Sequence, residues 1–480
     1  MDVQHEDERD TDSVTISKKP TPLPKLQLFL LILIQFSEPV TALVIYPFII
    51  QFVRDTGVTG GDETRTGYFA GIIESIFFLA ECLTVVWFGR ASDRYGRRPI
   101  LLIGPVGLAL SMLGFGLSKR FWSLVVFRCL QGAFNGNIGV SKSVMAEISD
   151  STNVAEIYSF LPFMWTIGAT FGPFIGGSLA NPASRFPDSL GKIHLLREFP
   201  YLLPCATAGA LAFSAFVLGF LGLKETLPSA IAHHKKRAAQ AGTESEPLLV
   251  GSNHPTGIDD APPPLRDLFV RPVFIALTNH GFLAFSQMAY EVLVPLVYAT
   301  PIALGGLGLS PLYIGRIMGS LGLVNVLTQI FFSARAIRHF GPRTIFITAF
   351  CWLSCSFLAY PLLNYFARRS GRVDGHVIAV MLFQMSSSLV IFPTFACTQI
   401  FVVDSAPTQN SLGGVNGLAQ MVASTLRSVA PTFAASLFAT SVSHDVLGGN
   451  MVFFVLCGIS VCGVRAALML PRKLRSEGDE

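Results

Sequence analysis

Charge is scarce in this sequence. Of its 480 residues only 14% are Asp, Glu, Lys or Arg, where soluble domains carry about 25%. The net charge of +4 is too small and too dispersed to signal nucleic-acid binding. The first 25 residues contain no apolar core, which excludes a secretory signal peptide there. They run acidic, then basic, then proline-punctuated, the pattern of a disordered cytosolic tail. No Asn-x-Ser/Thr sequon occurs, in keeping with short external loops. The eight cysteines, at 82, 129, 205, 351, 355, 397, 457 and 462, show no CxxC or Cys/His spacing. They read as small packing residues in or beside apolar runs, with no metal or cofactor expected.

Apolar residues are what the chain has instead. They make up 51% of it, with 40 phenylalanines, and the mean hydropathy is +0.53. A crossing of the hydrocarbon needs about 20 mainly apolar residues. Twelve stretches meet that length, at 26–53, 66–88, 100–118, 121–147, 155–180, 200–223, 271–299, 311–333, 344–366, 376–403, 413–440 and 449–470. They are too continuous for the alternating strands of a barrel, so each is expected as a helix. The polar, proline-rich segment 224–270 separates six spans from six. The expected fold is an all-α integral membrane protein of twelve transmembrane helices in two six-helix pseudo-symmetric lobes. A tail at 1–25, lobes at 26–223 and 271–470, the linker 224–270 and a tail at 471–480 complete it. With the N-terminus in the cytosol, more than half of the 35 Lys and Arg fall in cytosolic segments, which places both termini inside.

The two halves echo each other. "GRASDRYGRRPIL" aligns with "ARAIRHFGPRTIF", setting Gly96 on Gly341, Arg90 on Arg335 and Arg98 on Arg343. In spans 5 and 11, Pro173 falls on Pro431 and Ser178 on Ser436, and at the ends of spans 1 and 7 Pro47 falls on Pro295. Offsets of 245 to 258 point to one duplicated six-span unit.

Charges inside the spans are the functional candidates, since each is costly in lipid, by at least about 2.5 kcal/mol for an unpaired arginine. Glu38 lies in the middle of span 1 and is expected to exchange protons. Glu74 and Glu81 lie in span 2, Arg128 in span 4, Glu291 in span 7 and Arg427 in span 11. Arg128 should face the lobe interior and tune Glu38. Arg427 has Ala169 at its repeat position, and either binds an anionic substrate group or pairs with Glu291. Tyr290, Trp165, Tyr298 and Phe163 are candidates for an aromatic cavity. In "GRASDRYGRRP", the glycines Gly89 and Gly96 allow a tight turn between spans 2 and 3. Asp93 among Arg90, Arg94, Arg97 and Arg98 suits a cytosolic gate, latching onto the start of span 11 while Arg97 or Arg98 pairs with Glu147 or Asp150. Arg338 is its counterpart in a weaker second latch. In span 5, "GATFGPFIGG" holds Gly168, Gly172, Pro173, Gly176 and Gly177, which favour close helix approach and a bend. "ESEPLL" at 244–249 fits an acidic dileucine sorting pattern.

These stretches carry a resemblance. "GRASDRYGRRP" resembles the loop signature of the major facilitator superfamily, with Ala91 where leucine is usual. "RCLQG" at 128–132 is similar to a motif of its proton-coupled members, and "GATFGPFIGG" to the antiporter motif of twelve-span drug:proton exporters. "ETLP" after span 6 is a frequent marker of the family. "SEPVTALVIYPFI" and "PYLLP" look like the fungal and plant branch related to zinc-induced facilitators. The resemblance spans the chain from span 1 to span 12. It implies proton transfer at Arg128, and an antiporter motif that limits leak and sets export.

The sequence thus reads as a secondary transporter, exporting a small organic molecule against protons by alternating access. It is expected as a monomer in the plasma or vacuolar membrane. A facilitator of metal, metal chelate or potassium is the rival on the same fold, though no His-rich loop supports it. A membrane enzyme would need a catalytic constellation, and His194 and His339 have no recognisable partners for one. A non-transporting sensor is the remaining alternative.

Overall fold

The computed structural model describes residues 24–148, 154–227, 270–407 and 412–472. The sorting pattern at 244–249, Asp150 and most of the expected tails and linker lie outside the described residues. The first half contains α1 (Lys25–Leu43), α2 (Ile49–Asp55), α3 (Thr66–Tyr95), α4 (Arg97–Gly116), α5 (Phe121–Asn135), α6 (Ile138–Ile148) and α7 (Val154–Leu179). Two short helices follow, α8 (Pro182–Arg185) and α9 (His194–Glu198), and then α10 (Leu202–Gly222). The second half contains α11 (Arg271–Ala299), α12 (Pro311–Thr328), α13 (Ala334–Phe340), α14 (Pro342–Ser370), α15 (Gly375–Ser405), α16 (Leu412–Ser443) and α17 (Met451–Leu468).

Among the described residues, nine helices are long and apolar enough to cross a membrane. The other three expected spans are also helical: α5 with α6, α7, and α16. Their boundaries differ from expectation where backbone chemistry intervenes. Span 1 is broken between Leu43 and Ile49, because Pro47 lacks the N–H that would continue the ladder. Span 4 is interrupted at Gly136 and Asn137. There Gly136 lies so close to α3 that a Cβ would stand 2.6 Å from the Thr84 hydroxyl. Span 8 runs on to Phe340 through a wider π-helical turn at Gln329–Ser333. Outside the spans, the Val377 amide donates to Asp374 at 3.0 Å, capping α15 and holding that carboxyl below its usual range.

The largest correction concerns the connection between spans 2 and 3. There is no loop of eleven residues. Helix α3 continues to Tyr95, one residue breaks it, and α4 begins at Arg97. Gly89 sits inside α3 with nothing within 4 Å of where its Cβ would stand, so it makes no turn. The turn is Gly96 alone, at φ +105°. That conformation suits glycine, and an added Cβ would also meet a Glu225 carboxylate oxygen at 2.6 Å. Gly341, its repeat partner, breaks the second half in the same way at φ +78°.

The halves meet along two seams. In one, α7 packs on α12: a Cβ on Gly315 would stand 2.5 Å from the Pro173 carbonyl and 2.7 Å from the Gly177 Cα. In the other, α3 packs on α16, with Gly71 against Ala435 and Pro431. The Thr432 hydroxyl bonds Ser75 at 2.7 Å, and Tyr68 meets Thr440 at 2.6 Å. Both seams lie toward the end of the bundle that carries Thr66.

Candidate functional site

Helix α5 organises the first half's polar interior. Arg128, Gln131 and Asn135 recur at i, i+3 and i+7, so they share one face. All three are buried. Arg128 is 1% exposed, and its guanidinium donates to Glu74 of α3 at 2.9 Å, to Gln131 at 2.6 Å and to the Ala42 carbonyl at 3.1 Å. It also lies over the Phe77 ring at 4.4 Å. Gln131 donates to the Thr41 carbonyl at 2.9 Å. Charge pairing and ring contact together offset the cost of taking the arginine out of water.

Arg128 faces the interior of its half, as expected, but its direct partner is Glu74 rather than Glu38. The arginine takes Glu74, and Glu38 lies with Glu81 about two turns further along α3. The Asn135 amide donates to Glu38 at 2.8 Å and to Glu81 at 3.1 Å, bridging the two carboxyl groups. Asn135 was not singled out from the sequence, although its i+7 spacing from Arg128 was the available signal.

The glycine-rich face of α7 is seated on α1. A Cβ on Gly168 would strike the Pro39 ring, and one on Gly176 the Val44 carbonyl. Gly172 lies 3.2 Å, measured from its would-be Cβ, from the Val40 carbonyl. Gly177 turns the other way, toward Gly315 of α12, and Pro173 presents its carbonyl there. The motif therefore holds one helix in contact with its own half and with the other.

Between the halves lies a cavity of about 70 Å³. The first half contributes Leu43, Tyr46, Ala169 and Pro173, and the second Glu291, Gln287, Tyr290, Asn325 and Phe392 among others. Glu291 is bonded by the Gln287 amide at 2.7 Å, and Tyr290 donates to the Gln384 carbonyl at 3.0 Å. Trp165, Tyr298 and Phe163 do not line it, so of the expected aromatic set only Tyr290 does. Tyr298 is instead buried against Gln384. Arg427 is also off the wall. It lies over the Phe395 ring at 5.9 Å and makes no ion pair with Glu291, although the two are within electrostatic reach.

At the Gly96 end, Arg97 donates to Asp93 at 2.6 Å, to Ser92 at 2.7 Å and to Glu147 at 2.9 Å. Arg98 donates instead to the Phe220 carbonyl at 2.6 Å. The backbone amides of Arg97 and Arg98 both donate to Glu225, at 2.8 and 3.0 Å, which caps α4. Glu225, in the "ETLP" stretch, was missed as a partner of this cluster. Among the described residues, Asp93 is bonded within its own half, to Arg97.

No metal cluster of three or more His, Cys, Asp or Glu forms among the described residues. The sequence profile described as Major Facilitator Superfamily matches residues 31–431. The major facilitator-type transporter psiT2 of Psilocybe cyanescens is 32% identical, across 94% of this chain and 91% of its own. The major facilitator superfamily multidrug transporter mfsB of Aspergillus fumigatus is 27% identical, across 92% and 82%. Protein ZINC INDUCED FACILITATOR 1 of Arabidopsis thaliana is 29% identical, across 92% and 90%. In fold, a crystal structure of a D-xylose-proton symporter aligns with a TM-score of 0.68 at 16% identity, covering 95% of this chain and 99% of that one.

Proposed function

The chain belongs to the major facilitator superfamily, and we propose that it exports a small organic molecule in exchange for protons. It is a multi-pass membrane transporter and not an enzyme. The finer reading rests on one observation above others: Glu38 and Glu81, two carboxyl groups buried in the membrane interior, share the single amide of Asn135. Intramembrane acids set together in this way serve as stations for a travelling proton. Arg128 and Glu74 form the neighbouring fixed pair that holds α3, α5 and α1 in register.

In this reading each six-span half, 26–223 and 271–470, moves as a lobe about the central cavity, with 224–270 as the cytosolic connection. Both termini lie in the cytosol, in the plasma or vacuolar membrane, and the unit is a monomer. The present state is the one closed at the Thr66 end, where both seams are made. Export is supported by the seating of the α7 glycines and by the name of the multidrug relative. A facilitator of metal or metal chelate is supported by the zinc-induced relative alone.

The test uses the purified chain in proteoliposomes with an imposed pH gradient. Internal pH is followed as organic cations, organic acids and metal chelates are added in turn. We expect proton flux coupled to an organic solute. Glu38→Gln should abolish the coupling while insertion and melting stay as in the wild type. Full gradient dependence in that variant would remove Glu38 from the proton path, and proton flux evoked by metal chelates alone would replace the exporter by the facilitator.

A further inference from the structure

We propose that the corner where span 9 begins and span 12 ends is a binding site for a phosphate monoester, held by Arg343 and Arg472. This corner lies away from the central cavity, so the site and the exporter reading can fail separately.

The internal repeat supplies the comparison. In the first half, α4 starts after Gly96, and its first two amides, those of Arg97 and Arg98, donate to the Glu225 carboxylate at 2.8 and 3.0 Å. The Arg98 guanidinium holds the Phe220 carbonyl, and Glu225 lies five residues beyond Phe220. The second half repeats this frame. Helix α14 starts after Gly341, and the Arg343 guanidinium holds the Leu468 and Leu470 carbonyls at 2.8 and 2.9 Å. Four residues beyond Leu468, however, stands Arg472. Where one half brings an acid to the start of its third span, the other brings a base. The first site is filled by the chain itself, and the second calls for an anion from outside.

Space and donors are both present there. A cavity of about 250 Å³ occupies the corner, lined by Phe340, Arg343, Thr344, Phe401 and Arg472 among others. Pro342, at the repeat position of Arg97, has no N–H, so the first amides of α14 are those of Arg343 and Thr344. No side chain caps them, and the helical ladder begins with the Ile345 amide on the Gly341 carbonyl. Arg343 commits Nε and Nη2 to the two carbonyls, which fixes its plane and leaves Nη1 for a ligand. Among the described residues Arg472 has no carboxylate partner. Asp404, three residues past Phe401 on α15, is not on the wall. Two guanidinium groups, two amides and the Thr344 hydroxyl exceed what the two oxygens of a carboxylate can accept. A phosphate monoester offers three oxygens and a charge of about −1.5 to −2, and the start of a long helix favours that charge further. Leu468 and Met469 beside the corner are exposed apolar residues, which suits a phosphate carried on acyl chains. Once bound, it would tie α14 to the end of α17, as Glu225 ties α4 to the end of the first half.

The experiment is equilibrium binding to the purified full-length chain in detergent, at fixed ionic strength. The probes are dihexanoyl phosphatidic acid, dihexanoyl phosphatidylcholine and inorganic phosphate. We expect phosphatidic acid, a monoester, to bind at least tenfold more tightly than phosphatidylcholine. Inorganic phosphate binding as tightly as phosphatidic acid would identify the free ion as the ligand, and weaker phosphate binding the lipid headgroup; either result supports the site. Arg472→Gln should weaken phosphatidic acid at least tenfold, with an unchanged melting temperature in the absence of lipid. Arg472→Glu, which sets a carboxylate where the first half has one, should abolish the binding. Arg465→Gln, which removes an equal charge from the exposed face of α17, should leave it unchanged. Equal affinity for the two lipids, wild-type binding by Arg472→Gln, or an equal loss in Arg465→Gln would each overturn the proposal.

Discussion

The two seams between the halves are built from equivalent helices and closed by different chemistry. Span 5 on span 8 is a contact of backbones: Gly177 and Gly315 leave no side chain between them, and the Pro173 carbonyl faces the glycine. Span 2 on span 11 keeps two glycines, Gly67 and Gly71, but places Ala435 where the other seam has Gly177. Side-chain hydrogen bonds make up the difference, between Thr432 and Ser75 and between Tyr68 and Thr440. Helices in lipid associate through close packing and polar contacts, because the hydrophobic effect does not separate them from lipid tails. Here a duplicated unit weights the two routes differently at its two contacts, although a Thr166–Gln329 bond also crosses the first. A backbone contact is rigid and intolerant, whereas hydroxyl bonds can be exchanged for water as a lobe swings.

That contrast can be broken at three points. The largest effect is expected for Gly315→Val. Its side chain would enter a space bounded by the Pro173 carbonyl and the Gly177 Cα, neither of which can turn aside. Overpacking of this kind costs about 1–3 kcal/mol, and the upper part of that range applies. Melting in detergent should fall well below wild type, and cysteines placed at the Thr66 end of the cavity should become reactive to a membrane-impermeant thiol reagent. Unchanged labelling would show that the seam does not close that end.

Gly71→Val should do less. Its nearest neighbour is the Ala435 methyl at 2.9 Å, with backbone atoms at 3.1 Å, so a small shift of α16 relieves the contact. The same two measurements should show a partial loss of stability and partial labelling. A loss equal to that of Gly315→Val would mean that the two seams are equally tight.

Thr432→Val should be mildest. It keeps the volume and removes the hydroxyl's bonds to Ser75 and to the Gly71 carbonyl, while the residue's backbone amide still donates to Ser75. Side-chain hydrogen bonds between membrane helices average about 0.6 kcal/mol, so a melting shift of a degree or two is expected. A loss as large as that at Gly315 would make the hydroxyl bonds, rather than close packing, the main closure of their seam.

The spans and the glycine face of α7 were legible because both are local patterns. Length and hydropathy define a crossing, and glycine at 168, 172 and 176 lies on one face whatever surrounds it. The pairing of Pro173 with Pro431 was also legible, and the structure gives it meaning, since each proline carbonyl faces a glycine of the other half, Gly315 or Gly71. Partner choice among charges was not legible. Whether Arg128 meets Glu74 or Glu38 depends on how α1 and α3 are rotated about α5, and nothing in the chain's linear order fixes that. Glu225 was hidden for a related reason: it lies more than a hundred residues from Arg97 and Arg98 and acts on their backbone amides, which carry no sequence signature. The repeat itself exposes what is particular to that junction. Arg98 and Arg343 each reach carbonyls near the end of the last span of their half, Phe220 in one and Leu468 and Leu470 in the other. At the repeat position of Asp93 the second half carries Arg338 instead of an acid.

The wider turn at Gln329–Ser333 has a consequence for chain length. A π-helical turn accommodates one more residue than the α-helix around it, so span 8 holds a surplus residue relative to a straight rod. It sits beside the Thr166 hydroxyl, which bonds Gln329 at 3.0 Å across the gap between the halves. Five residues of the wide turn sweep nearly the rotation that four residues of α-helix do, so shedding one would leave the hydrogen-bond ladder whole and keep everything from Ala334 onward close to its present azimuth. The segment is therefore a place where a single deletion is absorbed without re-aiming Arg335 and Arg338 or unmaking a helix. Chain length can change there while the charges at that mouth of the pathway keep their facing.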